Sequence, residues 1–102
     1  MKIYYETIDE KQIKKEKEKA RELRRSSWWL NIIQDGVCYY CKRNVGRANL
    51  TMDHIVPLSR GGKSKKGNIV PACKECNNKK KYLLPIEWEE YLQSLSNESS
   101  SS

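Results

Sequence analysis

The sequence predicts one small α+β domain stapled by a metal. Three observations predict it: two Cys-x₂-Cys pairs separated by 31 residues, two short strand-like runs between them, and helical composition on either side. A chain of 102 residues suffices for one domain and not two. With 37% apolar residues and a mean hydropathy of −0.88, its hydrophobic core must be small. No apolar run is long enough to span a bilayer, and the charged start offers no secretory signal, so a cytoplasmic protein is expected.

The elements follow in order. Residues 1–8 suit a short edge strand or nothing ordered. Residues 9–25 are Glu, Lys, Arg, Gln and Ala without glycine or proline, which predicts a helix. Its apolar positions are sparse (Ile13, Ala20 and Leu23), so it reads as a mostly solvated arm over residues 1–27. Ser26 or Ser27 can cap a second helix over 28–34, stopped by Gly36. Trp28, Trp29, Leu30, Ile32 and Ile33 form the richest apolar cluster and are expected in the core. Residues 37–40 are β-prone, and 50–56 reads as a strand ended by Pro57. A glycine-punctuated basic loop over 59–67 leads to a second strand at 68–70 and a helix from about residues 72–74. Pro85 suits the first turn of a last helix over 86–95, with Ile86, Trp88, Tyr91, Leu92 and Leu95 as its apolar residues. The zinc-framed domain is therefore residues 28–95, and the Ser-rich 96–102 reads as a disordered tail.

Cys38, Cys41, Cys73 and Cys76 are the candidate structural zinc ligands. Two residues between thiolates let a tight turn or a helix start aim both sulfurs at one tetrahedral ion. The alternative is two disulfides, which would need an oxidising compartment that nothing in the sequence indicates. Zinc also answers an energetic problem, because so small a core rarely stabilises a domain alone. The spacer exceeds the 15–20 residues usual for zinc ribbons, so something is built into the frame.

Charge is concentrated in the same segment. Residues 38–81 carry +9, with Asp53 and Glu75 their only acids, while residues 1–37 carry +2 and residues 82–102 carry −4. A cysteine-framed block this basic suits a polyanion, most often nucleic acid. Arg60, Lys63, Lys65 and Lys66 on the loop, with Lys79, Lys80 and Lys81 after the second cysteine pair, are candidate phosphate contacts. The plainer alternative for each is a solvated surface charge. Tyr39 and Tyr40 could stack on nucleotides, but packing beside the first cysteine pair is the favoured role.

Asp53-His54 closes the first strand-like run, Ser59-Arg60-Gly61-Gly62 follows it, Asn68 opens the second, and Asn77 and Lys80 follow the last cysteine. In this order the motifs of residues 36–82 closely resemble the HNH endonuclease family, whose catalytic unit is a ββα-metal fold. Asn77 stands where His is the commoner family residue. Lys42 and Lys81 stand where glycine is often found.

The resemblance implies metal-dependent hydrolysis of DNA phosphodiester bonds. His54 would be the general base, and Asp53 and Asn77 would hold one catalytic Mg²⁺ or Mn²⁺. Asn68 would orient His54 by bonding loop backbone. Read without the family, His54 is the only histidine and is not needed as a zinc ligand, and a lone His beside apolar Ile55 is often a plain core residue. Asp53 is a hard oxygen ligand in a basic segment. Adjacent strand residues point to opposite sides, so Asp53 and His54 share a site only if the strand ends or bends there. Two alternatives stand beside a free-standing nuclease: a non-catalytic zinc-stapled DNA-binding module, and a nuclease subunit of a phage or mobile-element machine. DNA is the expected partner, with a homodimer or such a larger complex as the expected assemblies and no membrane partner.

Overall fold

A computed structural model describes residues 10–101, with side chains through Leu95. The edge strand considered for residues 1–8 lies outside them. The elements are α1 (Glu10–Arg24), α2 (Ser27–Ile32), β1 (Leu50–His54), β2 (Ile69–Cys73), α3 (Lys74–Lys80) and α4 (Pro85–Ser101). β1 and β2 form an antiparallel pair in which Leu50 faces Cys73 and His54 faces Ile69. α3 follows β2 directly, giving a β-β-α unit. Pro71 costs no ladder bond that a second neighbour would need, because among the described residues the sheet has two strands.

Local chemistry sets the ends of these elements. Ser26 caps α2 by accepting the Trp29 N–H at 3.3 Å. Gly36 turns the chain at φ 72°, and a Cβ there would lie 2.9 Å from the Gly46 Cα. The expected strand at 37–40 reduces to one bridge, Val37 to Asn44, because Cys38 and Cys41 close the chain into a knuckle. β1 stops at His54, two residues before the expected end. Beyond it, the Val56 N–H and carbonyl are both bonded by the Asn68 side chain and no longer by a strand. β2 runs further than expected, to Cys73, whose sulfur accepts the Cys76 N–H at 3.4 Å and caps α3.

The core is centred on the cysteines. Cys38, Leu50, Ala72, Cys73 and Cys76 are buried together, with Ile33, Tyr40, Cys41 and Val45 against them. Of the tryptophan-rich cluster, Trp29 is buried, whereas Leu30 and Ile32 are exposed, since a short helix can present only one face to so small a core. In α4, Trp88 is buried against Tyr40, while Ile86, Leu92 and Leu95 stay exposed. α4 continues through the Ser-rich 96–101 assigned from composition to a disordered tail. No glycine or proline interrupts it, and extending a nucleated helix costs far less than starting one. α1 is less solvated than its composition predicts, because Glu16 as well as Ala20 is buried.

Candidate active site and metal centre

Four sulfurs converge at the knuckle. The ligand atoms of Cys38, Cys41, Cys73 and Cys76 all lie within 4.8 Å of one another, and Cys41 Sγ is 3.9 Å from Cys73 Sγ. That separation is far too long for a disulfide and close to the roughly 3.8 Å edge of a tetrahedron with Zn–S bonds of about 2.3 Å. The four cysteines therefore fit a structural zinc. Cys38 Sγ also accepts the Tyr40 N–H at 3.3 Å and the Cys41 N–H at 3.5 Å. Burial would raise the Cys41 thiol, but hydrogen bonds from Arg43 bring it down to about 6. Burial pushes the Cys76 thiol up, so metal binding must displace its proton.

A second site lies at the end of β1. Because the strand ends at His54, Asp53 and His54 both line an open cleft of about 410 Å³. Asn77 from α3 enters the same cleft, as do Lys81, Leu58 and Ser59, and Ile13 and Lys17 of α1 close one side. Asp53 is buried, and its Oδ2 accepts the Tyr40 hydroxyl at 2.6 Å and faces Lys80 Nζ at 3.3 Å. Burial first, and then the Asp53 contact, raise the Tyr40 pKa, so the phenol keeps the proton it donates. Asn77 Nδ2 donates to Thr51 Oγ1 at 2.8 Å, and Thr51 Oγ1 donates to the Ala72 carbonyl at 2.8 Å. This chain fixes the amide so that its oxygen is the end left for another partner. His54 Nε2 lies 2.9 Å from Ser64 Oγ. Burial lowers the His54 pKa, outweighing the Asp53 and Glu16 charges that would raise it.

Asn68 is buried and bonds at both ends of the loop. Its Oδ1 accepts the Val56 N–H at 2.9 Å, and its Nδ2 donates to the Val56 carbonyl at 3.1 Å and the Lys63 carbonyl at 2.9 Å. Gly62 is required inside this loop, since a Cβ there would fall 1.8 Å from the Val56 carbonyl oxygen.

The profile of the HNH endonuclease family matches residues 38–90, slightly more than half of the chain. The chain belongs to the HNH endonuclease family. Its β-hairpin and following helix, framed by the four-cysteine cluster, are consistent with the family's ββα core. The chain is also 37% identical over 49 residues to a protein of Actinomyces naeslundii named CRISPR-associated endonuclease Cas9. That stretch covers 47% of this chain and 4% of the relative, so the chain spans only a small part of that protein's length.

Within this chain, most of the basic residues named from sequence lie on the surface. Lys63, Lys65 and Lys66 are exposed, and Lys66 Nζ sits 5.8 Å from the Trp28 ring centroid. Arg60 pairs with Glu87 at 3.2 Å, and Lys79 pairs with Glu75 at 3.3 Å. Lys80 is a correction. It is 1% exposed, bonds the His54 carbonyl at 3.1 Å and pairs with Asp53, so it braces the strand end and cannot meet a phosphate. Lys42 and Lys81 adopt φ of 64° and 44°, which explains the glycines often found there in the family.

Sequence reasoning missed Tyr40 as the Asp53 partner, Thr51 as the Asn77 anchor, and Glu16, Lys17 and Ser64 altogether. One signal was present. Ile13, Glu16, Ala20 and Leu23 are spaced three and four apart, which puts one carboxylate on the only apolar seam of α1.

Proposed function

We propose that this HNH endonuclease hydrolyses DNA phosphodiester bonds with His54 as general base and one divalent ion, Mg²⁺ or Mn²⁺, held by Asp53 and Asn77. The carrying observation is that Asp53, His54 and Asn77 line one cleft, apart from the four thiolates that fit zinc. A carboxylate oxygen and an amide oxygen are hard donors that suit Mg²⁺, which keeps much of its water. Both protein contacts of Asp53 fall on Oδ2, which favours Oδ1 as the oxygen for a cation. When bound, the ion supplies charge stabilisation to the phosphorane-like transition state and the leaving 3′ oxygen.

The chain's own residues supply the rest. His54, neutral at physiological pH because burial depresses its pKa, takes a proton from the attacking water. The products are a 5′ phosphate and a 3′ hydroxyl. Asn68 positions His54 by tying Val56, two residues beyond it, to Lys63 across the loop. Lys81 in the cleft and the exposed Arg60, Lys63, Lys65, Lys66 and Lys79 supply the field that holds the DNA backbone. Residues 28–95 form the zinc-framed core of the nuclease unit, and α1 closes one side of its cleft through Ile13 and Lys17.

Incubating the protein with supercoiled plasmid, with and without Mg²⁺ or Mn²⁺, tests the proposal. Cation-dependent conversion to open circles or linears is expected. DNA binding without cleavage would identify a zinc-stapled binding module instead, and cleavage only after a partner is added would identify a subunit of a larger machine.

A further inference from the structure

Ser64 joins His54 of the proposed active site to α1. Ser64 is buried, and its Oγ lies 2.9 Å from His54 Nε2 and 2.5 Å from the main-chain carbonyl oxygen of Glu16. The Ser64 N–H donates to Glu16 Oε1 at 2.6 Å. One residue of α1 therefore holds one loop residue at two points, across 48 positions of sequence.

The donor count is decisive. A carbonyl oxygen carries no proton, so at 2.5 Å the single hydroxyl proton of Ser64 must lie toward Glu16. Ser64 Oγ then faces His54 only as an acceptor, and Nε2 must be the protonated nitrogen. Nδ1 is left as the basic one. We infer that Glu16 and Ser64 form a positioning pair that fixes the tautomer and ring orientation of His54, so that α1 is part of the catalytic apparatus. This inference rests on the proposed role of His54 as general base.

The burial of Glu16 supports the pair. A carboxylate with a side chain 3% exposed is costly to seat unless its bonds are made. Its Oε1 takes the Ser64 N–H, and its Oε2 takes Gln12 Nε2 at 3.1 Å and Lys19 Nζ at 3.6 Å. The Ser64 bond is the largest influence holding Glu16 below the usual carboxylate range. Lys17, the next residue, lines the same cleft as His54. The family resemblance assigns no role to Glu16 or Ser64.

The test uses the zinc-loaded full chain and its Ser64→Ala, Ser64→Thr and Glu16→Ala variants, with zinc content and melting curves recorded for each. Because His54 is the only histidine, its ring nitrogens form a single ¹H–¹⁵N spin system. At about pH 8, where imidazole is neutral, the wild type should show a protonated Nε2 with a slowly exchanging proton. Ser64→Ala and Glu16→Ala should lose that exchange protection, and Ser64→Thr should keep it. Partners that orient metal-ligating histidines are typically worth about 10–100-fold, and the same scale is expected for a partner that orients a general base. Cleavage at saturating DNA should fall by that factor in Ser64→Ala with KM unchanged, and Ser64→Thr should restore most of it. A wild-type ring protonated at Nδ1, or unchanged exchange and kcat in Ser64→Ala, would overturn the pair. The NMR arm needs no cleavage, so it decides the hydrogen-bond arrangement even if the wild type cuts nothing, a result that would overturn the nuclease reading instead.

Discussion

His54 is the chain's sole imidazole, so no second histidine can take over its proton. General-base catalysis is typically worth ~10²–10⁴ in rate, and His54→Ala should lose about that much cleavage while zinc content and DNA binding survive. The pH dependence has a definite sign. Only the neutral ring accepts a proton, and burial lowers the His54 pKa below its ordinary 6.5. Single-turnover cleavage should therefore hold through neutrality and fall only as pH drops through the depressed value. An acidic limb centred above 6.5 would contradict the burial seen here. A second residue-scale prediction concerns Lys42, held at φ 64° without the freedom of glycine. Left-handed backbone costs an ordinary residue roughly 1–2 kcal/mol, part of which glycine returns as unfolded-state entropy. Lys42→Gly should accordingly raise the melting temperature by a few degrees, measured by calorimetry with zinc bound.

Elements whose ends are set by neighbours in sequence were legible, and those set by distant partners were not. The cysteine pairs, Pro57, Pro85 and the glycine loop marked β1, β2 and the starts of α3 and α4 to within a few residues, because each signal acts on its own backbone. The resemblance placed Asp53, His54 and Asn77, and the cleft contains all three. By contrast, the seating of Glu16 depends on Ser64, 48 positions away, and no local pattern encodes that partner. Lys80 failed for the same reason: a lysine on a basic helix reads as a phosphate contact until Asp53 and the His54 carbonyl are known to enclose it. Removing residues 1–25 separates the two roles of the N-terminal segment. Residues 1–37 carry only +2, and Lys17 is the one residue of α1 with a cationic side chain lining the cleft. The slope of log affinity against log salt should change by about one phosphate contact, about 0.9. Cleavage at saturating DNA should fall much further, because Ser64 loses its anchor. Collapse of the salt slope in a deletion that still binds zinc would make α1 a major DNA-binding surface instead.

At the scale of the whole molecule, the four thiolates that fit zinc and the proposed catalytic residues are two different sets of ligand chemistry. Three of the five residues at the centre of the core, Cys38, Cys73 and Cys76, belong to the four-cysteine cluster that fits zinc. Removing zinc would leave not an intact core with an empty site but a core whose centre is a knot of thiols that repel one another once ionised. Cys41, with its pKa near 6, would be ionised at neutral pH, while buried Cys76 would resist it. Zinc binding is worth ~10–16 kcal/mol of apparent free energy in small zinc peptides, comparable to the whole stability of an ordinary domain. Elemental analysis should find one zinc per chain, and a strong zinc chelator should unfold the β-hairpin and α3 together, seen as loss of far-UV dichroism and a red shift of the buried Trp29 and Trp88 emission. Asp53 and Asn77 offer hard oxygens and sit outside that core cluster. A brief exchange into cation-free buffer should therefore stop cleavage while dichroism and zinc content stay unchanged, and Mg²⁺ should restore it without refolding. Asp53→Ala should behave like the cation-free protein at every ordinary Mg²⁺ concentration while keeping its zinc. Loss of zinc from that variant, or normal cutting by it, would mean that the two metal sites are not independent or that the cleft ligands are wrongly assigned.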